Sequence, residues 1–116
     1  MTADDFQIIL KRRLKLTENV LGYKAKEYSN DEDRFHNFNV AARWDAESPE
    51  RALWGMLKKH LVSVQDIVNT IESGTGDAIS EISRERIDEK IGDCINYLIL
   101  LEGIMLENLD LMDIEI

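Results

Sequence analysis

Apolar residues recur along this chain at intervals of three and four, the spacing that lines up side chains on one face of a helix. From Asp4 to about Tyr28, the positions Phe6, Leu10, Leu14, Thr17, Leu21 and Tyr28 form one stripe with Lys and Arg on its flanks, which predicts a first amphipathic helix. The next stretch, SNDEDRFHNFNVAARWDAES, starts polar and acidic and then sets Phe35, Phe38 and Ala42 at helical spacing, so a loop opening into a short helix that ends near Trp44 is expected. Ser48-Pro49-Glu50 is a start signal for a second long helix. A Ser hydroxyl accepts from an orphan backbone N–H, and Pro at the first helical position lacks the donor that would otherwise go unpaired. Leu57, Leu61, Val64, Val68 and Ile71 then repeat every seven residues up to a stop at Ser73-Gly74-Thr75-Gly76. At the end of the linker DAISEIS, Ser83 is another N-cap, and Ile87, Ile91, Cys94, Leu98, Leu101 and Met105 keep the same period to about Glu107.

No segment alternates with the period of two that a half-buried strand needs. The expected fold is therefore all-α: a single domain over residues 1–116, a bundle of three long helices plus one short helix, with 108–116 as an acidic C-terminal tail. Ile95, Tyr97, Ile99, Leu100 and Ile104 lie off the main stripe of the third long helix, which is apolar around most of its circumference. Such a helix must be central or buried in an oligomer, and a homodimer is expected. Phe35, Phe38, Trp44 and Trp54 are expected in the core.

Composition fits this picture: 44% hydrophobic and 32% charged residues with six Gly and one Pro describe a helix-prone globular chain of 116 residues. A formal net charge of −9 argues against direct binding to nucleic acid, whose phosphates the average field would repel. The sign is uneven. Residues 1–26 hold Lys11, Arg12, Arg13, Lys15, Lys24 and Lys26 against three acids, whereas residues 88–116 hold eight acids and only Lys90, so the two ends attract each other within one chain or between two. Cys94 has no partner for a disulfide and reads as a small buried hydrophobe in a reducing compartment. The N-terminal MTADDFQIILKRR places acids before its apolar stretch and bases after it, the reverse of a secretory signal, and no run approaches the ~18 residues of a membrane span. A cytoplasmic protein is expected.

Candidate chemistry gathers in DEKIGDCINYLILLEG, where Glu89 and Asp93 stand one helical turn apart with Asn96 three residues further on the same face. Two like charges this close repel. Either the face is simply hydrated, helped by the helix dipole, or a divalent cation offsets the repulsion; the spacing is compatible with both. On the second long helix Lys59, Ser63 and Asp66 form a polar row, with Asp66 a candidate metal ligand and Lys59 a candidate phosphate contact. His60 and His36 have no second His or Cys at metal spacing, so a histidine satisfied by its neighbours is the simpler reading of each. Gly-rich phosphate loops, G-x-S-x-G, H-E-x-x-H and Cys-x-x-Cys are all missing, which sets aside nucleophilic and zinc chemistry.

The order KEYSNDEDRFHNF, ALWGMLKKHLVSVQD, DEKIGDCINYLILLE, over roughly residues 20–107, resembles small phage and prophage proteins related to the all-α nucleoside triphosphate pyrophosphohydrolases of the MazG type. The final block is similar to that family's acidic helix, in which a Glu and an Asp one turn apart, followed by a Tyr, bind Mg²⁺; here these are Glu89, Asp93 and Tyr97. The resemblance implies Mg²⁺- or Mn²⁺-dependent hydrolysis of a nucleoside triphosphate to monophosphate and pyrophosphate, with Asp66, Glu89 and Asp93 as metal-binding and catalytic residues. It also implies nucleotide contacts from Arg34, His36, Asn37, Lys59, Asn96 and Tyr97, and a homodimer in the cytoplasm of a bacterial host. The family's second motif, Glu-x-x-Glu on the preceding helix, is not matched: Lys58 to Asp66 offers only Asp66 as a carboxylate. Binding with reduced activity is the corresponding expectation. Two other readings compete, an inactive acidic phage protein that binds and inhibits a basic host protein, and a purely structural homo-oligomeric bundle.

Overall fold

The computed structural model describes residues 1–22, 33–74 and 76–113. They form five helices and no strand: α1 (Ala3–Leu21), α2 (His36–Trp44), α3 (Pro49–Ser73), α4 (Gly76–Ser80) and α5 (Arg84–Asn108). The all-α expectation is met. α4 is one short helix more than expected, formed from Gly76 of the stop signal and the first four residues of the stretch read as the linker DAISEIS. Tyr28, placed on the first helix from sequence, lies outside the described residues, and α1 as described ends at Leu21. No described helix is long and apolar enough to cross a membrane.

Side-chain caps set the helix starts. Thr2 Oγ1 accepts from the Asp5 N–H at 3.0 Å while the Asp5 carboxylate accepts from the Thr2 N–H at 3.3 Å, a reciprocal box that satisfies two orphan donors. Ser48 accepts from the Arg51 N–H at 3.1 Å with Pro49 at the first position, and Ser83 accepts from the Arg86 N–H at 3.0 Å. Both caps stand where the sequence signals them. Gly74 ends α3 at φ 68°, in the left-handed region a Cβ disfavours.

α3 and α5 run antiparallel and make the main contact of the fold, with α2 packed on α3 and α1 packed on α5. Their seam holds Leu53, Leu57, Cys94, Leu101 and Ile104, walled by Phe35, Phe38, Val64, Tyr97 and Leu100. The buried residues of α3 are Ala52, Leu53, Leu57 and Ile67, and the expected row differs from them: Leu61, Val68 and Ile71 are exposed. On α5, likewise, Cys94 and Leu101 are buried but Ile87, Leu98 and Met105 are exposed, and Ile104 from off the main stripe is buried in their place. A heptad marks an apolar arc, and where along that arc the partner sits depends on the crossing, which the pattern does not contain. Phe35 and Phe38 pack against the core as expected, whereas Trp44 is 85% exposed at the end of α2 and Trp54 is on the exposed side of α3, so neither belongs to it.

Two glycines on α5 mark crossings. A Cβ at Gly103 would stand 2.7 Å from Phe35 Cζ, and one at Gly92 would stand 2.8 Å from Arg13 Nη1, so the missing side chains let α2 and α1 approach the α5 backbone. α1 itself buries no residue. The radius of gyration is 17.0 Å, and the molecule extends 47 × 35 × 24 Å. A compact domain of this length would have a radius near ~13 Å, so the chain alone is elongated. Leu53, fully buried, should lose about 2–5 kcal/mol on truncation to Ala through lost transfer energy and a cavity, while Trp44→Ala should stay within about 0.5 kcal/mol. Urea or guanidinium unfolding of the two variants measures the difference.

Candidate functional site

The acids at the front of α5 have separate fates. Asp88 faces α1, where Arg12 clasps it with two parallel hydrogen bonds, Nη1 to Oδ1 at 2.7 Å and Nη2 to Oδ2 at 2.5 Å. Arg13 adds an Nη2 contact of 3.3 Å to the Asp88 carbonyl and stands 3.6 Å from Oδ1. A planar guanidinium matches a carboxylate in this fork, which fixes orientation as well as charge. The Arg12 hydrogen bonds, outweighing the opposing effect of burial, hold the Asp88 carboxyl below its ordinary value of 3.8. The attraction between basic N-terminus and acidic α5 noted from sequence is thus realised within one chain.

Glu89 is exposed, with Lys90 Nζ 3.6 Å from it. It shares a shallow hollow of about 370 Å³ with Arg13, Glu85, Asp88, Asp93 and Asn96, so Glu89 and Asp93 do lie on one face, as their spacing requires. Asp66 lies apart, exposed on α3, its backbone carbonyl accepting from Thr70 Oγ1 at 2.8 Å. Among the described residues no three His, Cys, Asp or Glu side chains gather closely enough to form a metal cluster. The three carboxylates predicted as ligands therefore do not converge within one chain.

Asp93 turns toward α3. His60 Nδ1 lies 3.4 Å from Asp93 Oδ2, and the His60 ring stacks on Tyr97 with centroids 4.7 Å apart and planes at 27°. Phe38 meets the other side of Tyr97 edge-on, 6.2 Å between centroids at 77°. His60 is thus held by its neighbours, as the sequence reading had it. Burial first, and the Asp93 charge second, raise the Tyr97 phenol above its ordinary value of 10.0 and the Cys94 thiol above 9.0, so both stay protonated at neutral pH.

Beside this stack opens a cleft of about 470 Å³ between α1, α2, α3 and α5. Arg34 and Asn37, Asp93 and Asn96, and Tyr97 all line it, with Val20, Leu21, Phe38, Met56 and Leu100 supplying apolar walls. Four of the six predicted nucleotide contacts converge here; His36 and Lys59 are exposed outside it. Asn96 Oδ1 is buried without a hydrogen-bond partner. An unpaired buried acceptor costs about 1–3 kcal/mol, and a ligand donor would relieve it. Cleft and hollow share Val20, Asp93 and Asn96, which joins an apolar, aromatic compartment to an acidic one flanked by arginine.

No family model matches the chain, and neither a curated protein nor a solved structure shows significant similarity to it.

Asp88 also sets a pH dependence. A carboxyl whose folded pKa is depressed contributes stability in full above its unfolded value, and that stability is lost as pH falls through the folded value. Wild type should therefore lose stability relative to Asp88→Asn below about pH 4, with the gap between the two closing as the acid limit is reached. Unfolding curves between pH 7 and pH 2 test the sign.

Proposed function

We propose that this protein binds a nucleotide in the cleft beside Tyr97, with hydrolysis of its phosphates weak at most. The observation that carries the proposal is the convergence of Arg34, Asn37, Asn96, Tyr97 and Asp93 on one cavity, with an unpaired buried acceptor on Asn96 in its wall. A volume of about 470 Å³ is within the range that takes a small organic ligand. Phe38, Tyr97, Met56 and Leu100 offer apolar and aromatic surface to a base, and the Asn96 amide, whose Oδ1 has no hydrogen-bond partner, offers a hydrogen bond to its edge. Arg34 in the cleft and Arg13 in the adjoining hollow offer positive charge to phosphates.

Mg²⁺ fits this arrangement only in part. It commonly takes one or two carboxylates and fills the rest of its shell with water and substrate phosphate, a demand that Glu89 and Asp93 on their shared hollow would meet. When bound it would neutralise phosphate charge. A preassembled cluster of three or four acids, which the resemblance implies for holding the metals that activate a water, has no counterpart among the described residues. Binding is accordingly favoured over turnover, in line with the unmatched Glu-x-x-Glu. The resemblance to MazG-type proteins supports the choice of ligand class, and the apolar surface of the isolated chain supports a homodimer as the working form.

Calorimetric titration of the full chain with a panel of ribo- and deoxyribonucleotides in Mg²⁺ should give saturable binding for at least one. Arg34→Ala and Asn96→Leu should each weaken it tenfold or more, whereas Asp66→Asn should leave it within about twofold. No binding across the panel, or equal loss in Asp66→Asn, would overturn the assignment.

A further inference from the structure

Between α1 and α5 runs a groove of about 570 Å³. Phe6, Ile9 and Leu10 wall it from α1, and Ile87, Ile91 and Ile95 from α5, at the three-and-four spacing that sets side chains in a row along a helix. Phe6 is 57% exposed, Ile9 47% and Ile87 40%, so both rows are formed but uncovered. The charged residues of the groove are Arg12, Arg13 and Arg84, with Asp88 as the one carboxylate among them.

Charge is sorted between this groove and the acidic hollow that also lies between α1 and α5. Glu85, Glu89 and Asp93 line the hollow and not the groove, whereas Arg12 and Arg84 line the groove and not the hollow; Asp88 and Arg13 border both. Asp88 is already engaged, with Arg12 forked onto its two oxygens and Arg13 3.6 Å from Oδ1. One carboxylate offsets one guanidinium, so the groove keeps an excess of positive charge on a chain whose net charge is −9. Arg84 is exposed and makes no hydrogen bond or ion pair among the described residues; it acts on Asp88 through its charge alone.

We propose that this groove docks a helix of another protein, one that carries Asp or Glu beside an apolar stripe. Such a helix matches the groove twice over, its stripe covering the two apolar rows and its carboxylates meeting guanidiniums in the paired geometry that arginine favours. Ile87 to Ile95 covers about 12 Å at 1.5 Å per residue, enough for two or three turns of the incoming helix. A second copy of this chain fits less well, because a twofold axis through the groove sets its arginines against the same arginines of the other copy. Nucleic acid fits less well too, since a long phosphate backbone extends past the groove into the field of a strongly acidic molecule. The partner is thus acidic, the opposite of the one the net charge suggests. Charges more than about 8 Å away are largely screened at physiological ionic strength, so the groove's own arginines decide what it accepts. Groove and nucleotide cleft share no lining residue, and the proposal is independent of the nucleotide reading.

Fluorescence anisotropy of the full chain tests it with a synthetic helical peptide of about fifteen residues, Leu at three-and-four spacing and Glu on the flanks, against a twin with Lys for every Glu. The acidic peptide should bind saturably and at least tenfold more tightly than its twin in low salt, the difference shrinking as salt rises. Arg84→Glu, at an exposed side chain that holds nothing in place, should weaken the acidic peptide at least fivefold and strengthen the twin. Ile9→Asp should weaken both, and Leu61→Asp, on α3, neither. Failure of the acidic peptide to bind, equal or tighter binding of the twin, or loss on Leu61→Asp as large as on Ile9→Asp would overturn the proposal. Two further outcomes would also overturn it by naming a different occupant: a wild-type dimer in sedimentation that Ile9→Asp dissociates, which places a second copy in the groove, or binding to phosphatidylglycerol vesicles that Arg84→Glu abolishes, with no binding of either peptide.

Discussion

Everything in this molecule is arranged around the packing of α5 against α3. Leu53 and Leu57 are the most completely buried large side chains, and they meet Cys94, Leu101 and Ile104 in one seam. At the other end of that seam the polar layer of His60, Asp93 and Tyr97 takes over from the apolar one. That change of character along a single helix pair creates the candidate site: the apolar end supplies rigidity, and the polar end presents side chains whose positions the packing below them fixes. α2 and α1 are added to the outer faces, and the cleft lies where all four helices meet.

The sequence announces local structure well and tertiary placement poorly. Ser48-Pro49, Ser83 and Gly74 mark helix ends by backbone chemistry that acts over three or four residues, and each stands where its signal puts it. Leu61, Val68 and Leu98 were expected inside because they keep a perfect heptad, yet a heptad is shared by both edges of an apolar arc, and the neighbouring helix covers only one. Trp44 shows the same limit, since aromatic residues are mostly but not always covered and position on a short helix end decides which. Gly92 and Gly103 carried no signal in the pattern, because a close approach is a property of two elements and the glycine belongs to only one of them.

For the site, spacing established that Glu89 and Asp93 share a face but not what lies opposite. Asp93 meets His60 from α3, Asp88 meets Arg12 and Arg13 from α1, and Glu89 meets mostly solvent, so three acids within six residues experience three electrostatic environments. Of the six nucleotide contacts that the family resemblance implies, Arg34, Asn37, Asn96 and Tyr97 line one cavity and His36 and Lys59 do not, whereas the apolar lining from Val20, Leu21, Met56 and Leu100 has no motif to betray it. The unpaired Asn96 acceptor could not have been found from sequence at all, since only the absence of a neighbouring donor distinguishes it.

Chain topology adds a temporal asymmetry. α3 and α5 are joined by the short stretch around α4, so their seam closes over a small loop, whereas the Arg12–Asp88 fork joins residues 76 apart in sequence. Contacts between near neighbours form early and cheaply, and those that close a long loop come late. The helical hairpin is therefore the natural nucleus, with α1 the last piece to dock and the first to detach, and an emerging polypeptide, which makes α1 before α5, must hold its greasy stripe in waiting until α5 has been synthesised.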